Sequence, residues 1–321
     1  MNDLNPLPVI SEHDRRIKEK LKRELGPLIC GLLEDTRVIE IMLNPDGSLW
    51  VERLGESMEK VGVMSAPQAE SLMGTVASTL RTQITAQNPI LECELPIDGS
   101  RFEALIPPVV AGPTFTIRKK AVQIFTLDNY VASGIMTVEQ CNAIKQAVHD
   151  RLNILVVGGT GTGKTTLTNA IIQFMSEASP HDRIAIIEDT GELQCSAENA
   201  VTMRAVDHVD MTRLLKATMR LRPDRILVGE VRDGAALALL KAWNTGHPGG
   251  AATVHANGAD AGLIRIEQLV AEATQAPMQA LIAEAVNLII SIEKVPHVGR
   301  RIKEVVKVVG FDNSNYITQP I

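Results

Sequence analysis

The first third of the chain alternates between helix-like and strand-like spacing of its apolar residues. Residues 12–33 place Ile17, Leu21, Leu25 and Leu28 at intervals of three or four, which predicts an amphipathic helix. Strand-like runs and one further helix-like run follow, bounded by turn residues. The predicted elements are a hairpin at 38–43 and 48–52, a helix at 67–83, and strands at 101–106 and 114–118. Residues 1–118 are therefore predicted to form a small α+β domain.

The second half of the chain has a different pattern. Residues 119–136 lack a strong period and are interpreted as a linker. Beyond them, short apolar runs alternate with stretches of helical spacing, which is typical of a largely parallel sheet covered by helices. The predicted strands are 153–157, 184–188, 225–229, 251–254, 288–293 and 302–309. Residues 137–321 are therefore predicted to form an α/β domain.

A glycine-rich loop joins the first of these strands to a helix. Residues 158–165 read GGTGTGKT and match the pattern G-x-x-x-x-G-K-[ST] at every fixed position. Glycines let backbone N–H groups curl around phosphate oxygens, and the following helix N-terminus adds partial positive charge. This context favours a nucleotide site over a flexible glycine turn. The residues predicted to contact phosphates are Gly158, Gly159, Thr160, Gly161, Thr162, Gly163, Lys164, Thr165 and Thr166.

Two residues of this phosphate loop have specific predicted roles. Lys164 is expected to reach the β- and γ-phosphates, and the Thr165 hydroxyl is expected to ligate Mg²⁺. ATP and Mg²⁺ are therefore the expected ligands.

Composition narrows the possible partners and the compartment. A net charge of −6 and an aromatic content of 3% weigh against a protein that coats nucleic acid or stacks bases, so direct sequence-specific nucleic-acid binding is not expected. The four cysteines are scattered without a C-x-x-C pair, which favours reduced thiols over a zinc site or disulfides. No run reaches the roughly 18 apolar residues that span a bilayer, and the N-terminus does not resemble a signal peptide. A cytoplasmic location is expected.

Carboxylates follow two of the predicted strands. Glu230 ends the run RILVGE and is suited to activate water as a general base, although it could instead cap a helix. Gly229 stands where an aspartate is usual, so carboxylate help to Mg²⁺ must come from elsewhere. Glu188, Asp189 and Glu192 are candidates to order Mg²⁺ waters, the alternative being an exposed acidic turn.

Histidines and arginines complete the candidate chemistry. Residues 245–257 are glycine-rich, with His247 and His255 flanking an apolar strand, which suggests a switch beside the nucleotide. His255 could sense the γ-phosphate, or it could be a structural residue. Any of several arginines could neutralise charge on the transferred phosphate, although each could equally be a surface charge. They are Arg101, Arg118, Arg204, Arg213, Arg220, Arg222 and Arg232.

Together these segments resemble the secretion-type traffic ATPases, in particular the TrbB-like ring ATPases of type IV secretion and conjugal transfer. The similarity covers nearly the whole chain and rests on GGTGTGKT, IIEDTGEL, ILVGE, TGHPGGAATVHANG and LKATMRLRPDRILVGEVR. It implies a RecA-like P-loop NTPase fold preceded by a smaller α+β domain, with Gly229 normal at its position. It also implies a hexamer with ATP between the two domains, so that Arg101 and Arg118 approach the phosphates.

The resulting hypothesis is a Mg²⁺-dependent ATPase that powers conjugal transfer, type IV secretion or pilus assembly at the inner membrane. The expected partners are other ATPases of the transfer channel and its inner-membrane components. The basic residues of 12–33 could add peripheral membrane contact, or they could form a solvated helix face. A pilus-retraction motor, a RecA-like nucleic-acid motor and a nucleotide-gated scaffold with negligible hydrolysis remain as alternatives.

Overall fold

A computed structural model describes residues 12–120, 125–206, 208–295, 298–312 and 314–321, without the side chains of His13 and Asp14. The chain divides into two compact units, Met1–Val122 and Gln123–Ile321. Within the described residues, no helix is both long enough and apolar enough to cross a bilayer.

The first unit is an antiparallel sheet with two helices on one face. Its helices are α1 (Glu12–Glu34) and α2 (Ala66–Thr79), and its strands are β1 (Val38–Leu43), β2 (Ser48–Arg53), β3 (Glu59–Val63), β4 (Ile90–Glu94), β5 (Arg101–Leu105) and β6 (Thr114–Arg118). The strand order is β3-β2-β1-β6-β5-β4. Alternation along the strands buries one face against the helices, with Ile41, Val51 and Phe102 in its core. The predicted hairpin is β1 and β2.

Helix α1 departs from the predicted amphipathic pattern at one point. Gly26 has a φ of 76°, in the left-handed region, and Pro27 follows it, so the segment is two helices joined across a kink. The kink changes which residues face the core. Leu25 and Ile29 are buried, whereas Leu28, which the helical period includes, is 42% exposed.

The second unit contains an eight-stranded sheet of order β14-β13-β12-β7-β11-β10-β8-β9. The strands from β12 to β9 in this order are parallel to one another, and β13 and β14 are antiparallel additions at one side. The strands are β7 (Ile154–Gly158), β8 (Ile184–Glu188), β9 (Ala200–Arg204), β10 (Arg225–Val228), β11 (Ala251–His255), β12 (Leu288–Val295), β13 (Gly299–Phe311) and β14 (Tyr316–Pro320). The predicted fold class, an α/β domain with a parallel-rich sheet after a smaller α+β domain, is confirmed.

Helices cover both faces of this sheet. They are α3 (Leu127–Ala132), α4 (Val138–His149), α5 (Lys164–Ala178), α6 (Met211–Thr218), α7 (Ala235–Asn244), α8 (Ala259–Ala271) and α9 (Gln279–Ala285). Successive residues of β7 point to opposite faces, so Leu155 and Val157 belong to one apolar cluster and Ile154 and Val156 to the other. Burial on both faces explains why the central strands are continuous apolar runs.

The linker predicted at 119–136 differs from the structure in its second part. Thr126 caps α3 in a reciprocal capping box with Asn129. Leu127, Tyr130 and Met136 are buried in the core of the second unit. A helix of six residues is too short to display a clear period, which is why the pattern did not reveal it. The first part of the linker includes residues 121–124, which lie outside the described residues.

Strands at the edges of the two sheets were the elements that the sequence pattern missed. Neither β9 nor β14 was predicted, and β3 and most of β4 were missed in the first unit. Edge strands are only half buried, and the residues of β9 alternate between intermediate and exposed positions. They therefore lack the continuous apolar run that identifies a central strand.

A buried arginine joins several elements of the second unit at the start of β10. Arg225 is fully buried. Its guanidinium donates hydrogen bonds to four acceptors in three segments: Asp182 (2.7 Å) and the Ser179 hydroxyl (3.2 Å) in one, the Gly249 carbonyl (3.0 Å) in another, and the Val148 carbonyl (3.2 Å) in the third. Every one of these acceptors would lose a partner if the guanidinium were removed.

We expect Arg225→Met to lower the free energy of unfolding of this unit by about 3–5 kcal/mol, because it leaves buried acceptors unpaired. The control is Arg301→Met, which removes an exposed arginine paired with Glu293 at 2.6 Å and should cost less than about 1 kcal/mol. The protein has two tryptophans, so a Trp50→Phe background leaves Trp243 as the fluorescent reporter in urea unfolding. Equal losses for the two variants would contradict the structural role of Arg225.

Candidate functional site

The phosphate loop lies between the end of β7 and the start of α5. Gly163 precedes the helix with a φ of 98°, a conformation that glycine adopts without strain. A Cβ on Gly158 would lie 2.5 Å from the carbonyl oxygen of Ile292 and 2.6 Å from the Thr162 hydroxyl, so no larger residue fits there. The N-terminus of α5 has no side-chain cap. Its backbone N–H groups therefore remain to bind an anion in the loop.

The threonines of the loop differ in their surroundings. Thr162 is buried, and its hydroxyl donates to the Gly159 carbonyl at 2.9 Å, which tightens the loop. Thr160 and Gly161 are exposed at its tip, and Thr166 is half-buried on α5. The nine residues predicted to contact phosphates thus form one continuous turn.

Lys164, His255 and Glu230 form a hydrogen-bonded series beside the loop. The Lys164 ammonium donates to the carbonyls of Gly158 (2.9 Å) and Gly159 (3.0 Å) and to Nδ1 of His255 (3.2 Å). An ammonium can only donate, so Nδ1 is the accepting nitrogen and Nε2 carries the proton. Nε2 lies 3.0 Å from Oε1 of Glu230. Burial and the neighbouring ammonium lower the pKa of His255, in agreement with a neutral ring.

Glu230 stands two residues beyond β10, and both of its carboxylate oxygens are engaged. Oε1 faces His255, and Oε2 accepts a hydrogen bond from Nη2 of Arg232 at 2.8 Å. Burial alone would raise the pKa of Glu230, but Arg232, His255 and Lys164 outweigh it and leave the pKa below its ordinary value. The carboxylate is therefore ionised at neutral pH.

The acidic segment after β8 is organised by Glu188. Its buried carboxylate accepts hydrogen bonds from the backbone N–H groups of Glu192 (2.8 Å) and Leu193 (3.0 Å). Burial raises the pKa of Glu188, and the two backbone N–H groups oppose that rise. Glu188 thus fixes the loop that carries Glu192, rather than facing solvent as an acidic turn would.

The side chains of Glu192 and Thr165 meet at the start of α5. The Thr165 hydroxyl lies 3.3 Å from Oε2 of Glu192. Gly229 cannot be replaced by an aspartate without movement, because a Cβ there would lie 2.9 Å from Cβ of Glu188. A hydroxyl next to a carboxylate is a donor set that Mg²⁺ accepts, so the residues present fit this ion. The described residues contain no cluster of three or more His, Cys, Asp or Glu that would hold a metal without substrate.

Arg101 and Arg118 belong to the first unit, where they are direct cross-strand neighbours on β5 and β6. A glutamate follows on each side of this pair. Glu94 is opposite Arg101 on β4, and Glu40 is opposite Arg118 on β1. Nε of Arg118 forms an ion pair with Glu40 at 2.5 Å. These four charged side chains, two arginines between two glutamates, lie on the face of the sheet opposite the buried Phe102 and Ile117.

Known proteins share these motifs and this architecture. Residues 23–316 match the family described as "Type II/IV secretion system protein". The chain belongs to this family. A "Probable conjugal transfer protein TrbB" from Sinorhizobium fredii is 55% identical over 301 residues, which cover 94% of this chain and 92% of that protein. A "Type IV secretion system protein VirB11" from Bartonella quintana is 32% identical over 286 residues, covering 76% and 79% of the two proteins.

Solved structures agree with the fold of this secretion-family protein. The X-ray structure of the Legionella pneumophila ATPase DotB has a TM-score of 0.62 at 19% identity and covers 92% of this chain and 81% of that one. At this level of identity the likeness shows a shared fold alone. The predicted resemblance to the type IV secretion and conjugal-transfer ATPases is confirmed by the family match and by the curated relatives.

The two histidines of the secretion-family motif at 245–257 lie apart. His255 ends β11 beside the phosphate loop. His247 precedes the other end of that strand, and its buried Nδ1 has no hydrogen-bond partner among the residues that the structure describes. Gly249 and Gly250 next to it donate to the side chain of Asn153 at 2.9 and 3.0 Å. Of the two histidines, only His255 lies beside the phosphate loop, and His255 is the one selected from the sequence.

Sequence reasoning missed one arginine near the loop of this secretion-family protein. Arg300, on β13, donates from Nη2 to the carbonyl of Gly161 at 3.4 Å. It is 136 positions from Lys164 in the sequence and belongs to no recognisable motif, so only the sheet order reveals it. Among the predicted arginines, Arg232 pairs with Glu230 and Asp189. The structure does not bring Arg213, Arg220 or Arg222 into hydrogen bonds with the residues of this site, and Arg204 lies near Glu188.

We expect Glu188→Ala to reduce both stability and activity of this secretion-family protein. It leaves two buried backbone N–H groups without an acceptor, at about 1–3 kcal/mol each. Glu188→Gln keeps one carbonyl acceptor, so its free energy of unfolding, measured in urea, should fall by less than half as much. If the negative charge of Glu188 were itself required, the two variants would be equally inactive, and that result would contradict the positioning role.

Proposed function

We propose that this protein is a Mg²⁺-dependent ATP hydrolase that acts as a hexameric ring to power type IV secretion or conjugal transfer. The observation that carries the proposal is the series Lys164–His255–Glu230 beside the phosphate loop. It combines an anion-binding turn with an ionised carboxylate, in a chain 55% identical to a probable conjugal transfer protein. A turn of this kind alone would give binding, and the carboxylate adds a group that can accept a proton.

ATP binding is assigned to the phosphate loop and the start of α5. The uncapped N–H groups of the helix supply donors and the positive end of its dipole. Lys164 supplies a full charge. Its acceptors include two backbone carbonyls and a neutral imidazole, which are weaker partners for an ammonium than a phosphate oxygen. We therefore expect it to exchange these contacts for the β- and γ-phosphates.

Hydrolysis is assigned to Glu230. Its carboxylate accepts a proton from water while the water oxygen attacks the γ-phosphorus. The bond from that phosphorus to the β,γ-bridging oxygen breaks, and ADP leaves with the electron pair. His255, between this acid and Lys164, is placed to report whether the lysine is bound to phosphate.

Mg²⁺ is assigned to the Thr165 hydroxyl, with Glu192 to order its waters and Glu188 to position Glu192. The ion supplies charge neutralisation at the phosphate oxygens. Arg101 and Arg118 are proposed for the same task, because a guanidinium matches phosphate geometry. Arg118 is paired with Glu40, a contact that it would exchange for a phosphate oxygen.

The cellular role follows from the curated relatives, which are conjugal transfer and type IV secretion proteins. We assign this protein to the cytoplasmic side of the inner membrane, with other channel ATPases and inner-membrane components as partners. The α1 helix carries six basic residues within 15–23, three of which pair with glutamates of the same helix. Peripheral contact with an anionic membrane would use the remaining positive charge.

We expect Glu230→Gln and Lys164→Ala to fail at different steps. Glu230→Gln preserves shape and hydrogen bonding but cannot accept a proton, so ATP should bind while phosphate release falls by at least about 100-fold. Lys164→Ala removes the charge that contacts the phosphates, so ATP binding itself should weaken. Calorimetry with Mg-ATP and a phosphate-release assay separate the two. Normal turnover by the Glu230 variant would refute its role as the base.

Ring formation is tested by particle images of the full-length protein with and without Mg-ATP. The expected result is a six-fold ring, with Glu230→Gln accumulating its ATP-bound form because turnover is blocked. Monomers under all conditions, at concentrations that saturate the ATP site, would contradict the hexamer. Phosphate release measured on the same samples then shows whether hydrolysis survives without the ring.

A further inference from the structure

Arg232 contacts two acidic residues that come from different segments of the second unit. Its Nη2 donates to Oε2 of Glu230 at 2.8 Å, and its Nη1 donates to Oδ2 of Asp189 at 2.7 Å. One planar guanidinium therefore bridges the carboxylate after β10 and the carboxylate after β8. A lysine could not make both bonds in this fixed geometry, because its ammonium is a single point.

The backbone that carries Glu230 and Arg232 is itself fixed. The N–H of Val231 donates to the carbonyl of Thr253 on β11 at 2.9 Å, and the Thr253 hydroxyl donates to the carbonyl of Gly229 at 2.7 Å. Val231 is buried between them. The residues on either side of Val231 therefore project to the same surface, and the side chain of Arg232 folds back onto Glu230.

The Glu230 carboxylate is consequently restrained at both oxygens, by His255 on one side and Arg232 on the other. A carboxylate restrained at one oxygen can rotate about its last bond, and one restrained at both has its plane defined. Asp189, at the far end of Arg232, defines where the guanidinium lies.

We propose that Arg232, aligned by Asp189, is a positioning residue that sets the orientation and ionisation of the Glu230 carboxylate. The proposal rests on the proposed function, because it assigns Arg232 to the base that acts there. The acidic segment after β8 would then also help to orient Glu230, since Asp189 acts on Glu230 through Arg232 and does not contact Glu230 itself.

The charges around Glu230 agree with this role. It is faced by Arg232 from its own segment, by His255 from β11 and by Lys164 from α5. Arg232 is faced in turn by Asp189 and Glu192 from the acidic segment. Burial would raise the pKa of Glu230, and the hydrogen bond and charge of Arg232 contribute most to keeping that pKa low. Without Arg232, the acid would become protonated at a higher pH and lose its ability to accept a proton there.

The test is the pH dependence of kcat for phosphate release by the full-length protein with saturating Mg-ATP. We expect Arg232→Gln to move the midpoint of the acidic limb upward by about one pH unit, a shift typical of losing an adjacent opposite charge. The KM for ATP should stay within about twofold. Arg232→Lys should restore the midpoint, because it keeps the cation, but not the full rate, because it cannot bridge both acids.

Asp189→Asn distinguishes the effect of the position of the Arg232 guanidinium from the effect of its charge. It leaves Arg232 charged beside Glu230 and removes the partner that aligns it. We expect the rate to fall several-fold at every pH with no upward shift of the midpoint. The control is Arg301→Gln, which removes an arginine from an exposed pair with Glu293 and should change neither the rate nor the midpoint.

Two results would overturn the proposal. One is an Arg232→Gln profile whose midpoint is unchanged. This holds if the rate stays normal, and also if the rate falls equally at all pH values, as it would after the loss of a direct phosphate contact. The other is an Arg232→Lys profile as displaced as that of Arg232→Gln. Glu230→Gln in the same assay separates a failure of this proposal from a failure of the proposed function. If Glu230→Gln is inactive while Arg232→Gln shows no shift, only the role of Arg232 is wrong. If Glu230→Gln hydrolyses ATP normally, Glu230 is not the base.

Discussion

The site depends on the register between two parallel strands, β7 and β11, which places His255 directly opposite Gly158. Gly158 begins the phosphate loop, so this pairing brings a residue 97 positions away to the side of Lys164. Side chains in a strand alternate between faces, and a slip of one residue would turn the His255 ring to the other face of the sheet. The buried apolar residues of β11 oppose that slip, because it would also move Val254 and Ala251 out of their clusters.

Parallel pairing has a second consequence, which is to collect the ends of four strands at one edge. The order β7-β11-β10-β8 places the phosphate loop, His255, Glu230 and Glu188 in sequence along that edge. Charges then alternate from one element to the next. The cations Lys164 and Arg232 lie on either side of the anionic Glu230, and the neutral imidazole of His255 lies between Lys164 and Glu230. Such a network is stable in a partly buried place only because each member has an opposite or hydrogen-bonding neighbour.

Much of the fold and of the site could be predicted from residues alone. Strands that are buried on both faces can be recognised in the sequence as apolar runs. The phosphate loop has a strict sequence pattern, because its backbone must approach an anion closely. Elements whose burial is partial were missed. The short α3 has too few residues to show a period, and β9 and β14 at the sheet edge have one exposed side. The kink at Gly26 also altered which face of α1 is buried, since Pro27 removes a backbone donor.

Local spacing was enough to predict the class of chemistry, because a phosphate-binding turn, acids at strand ends and a histidine after a buried strand are all local features. It could not say which residues meet. Arg232 was one candidate among several arginines, and only the tertiary structure placed it between Glu230 and Asp189. Likewise, His247 and His255 look equivalent in the motif, yet they lie at opposite ends of β11. Strand order and register are long-range properties, set by packing of the whole sheet, and no local pattern encodes them.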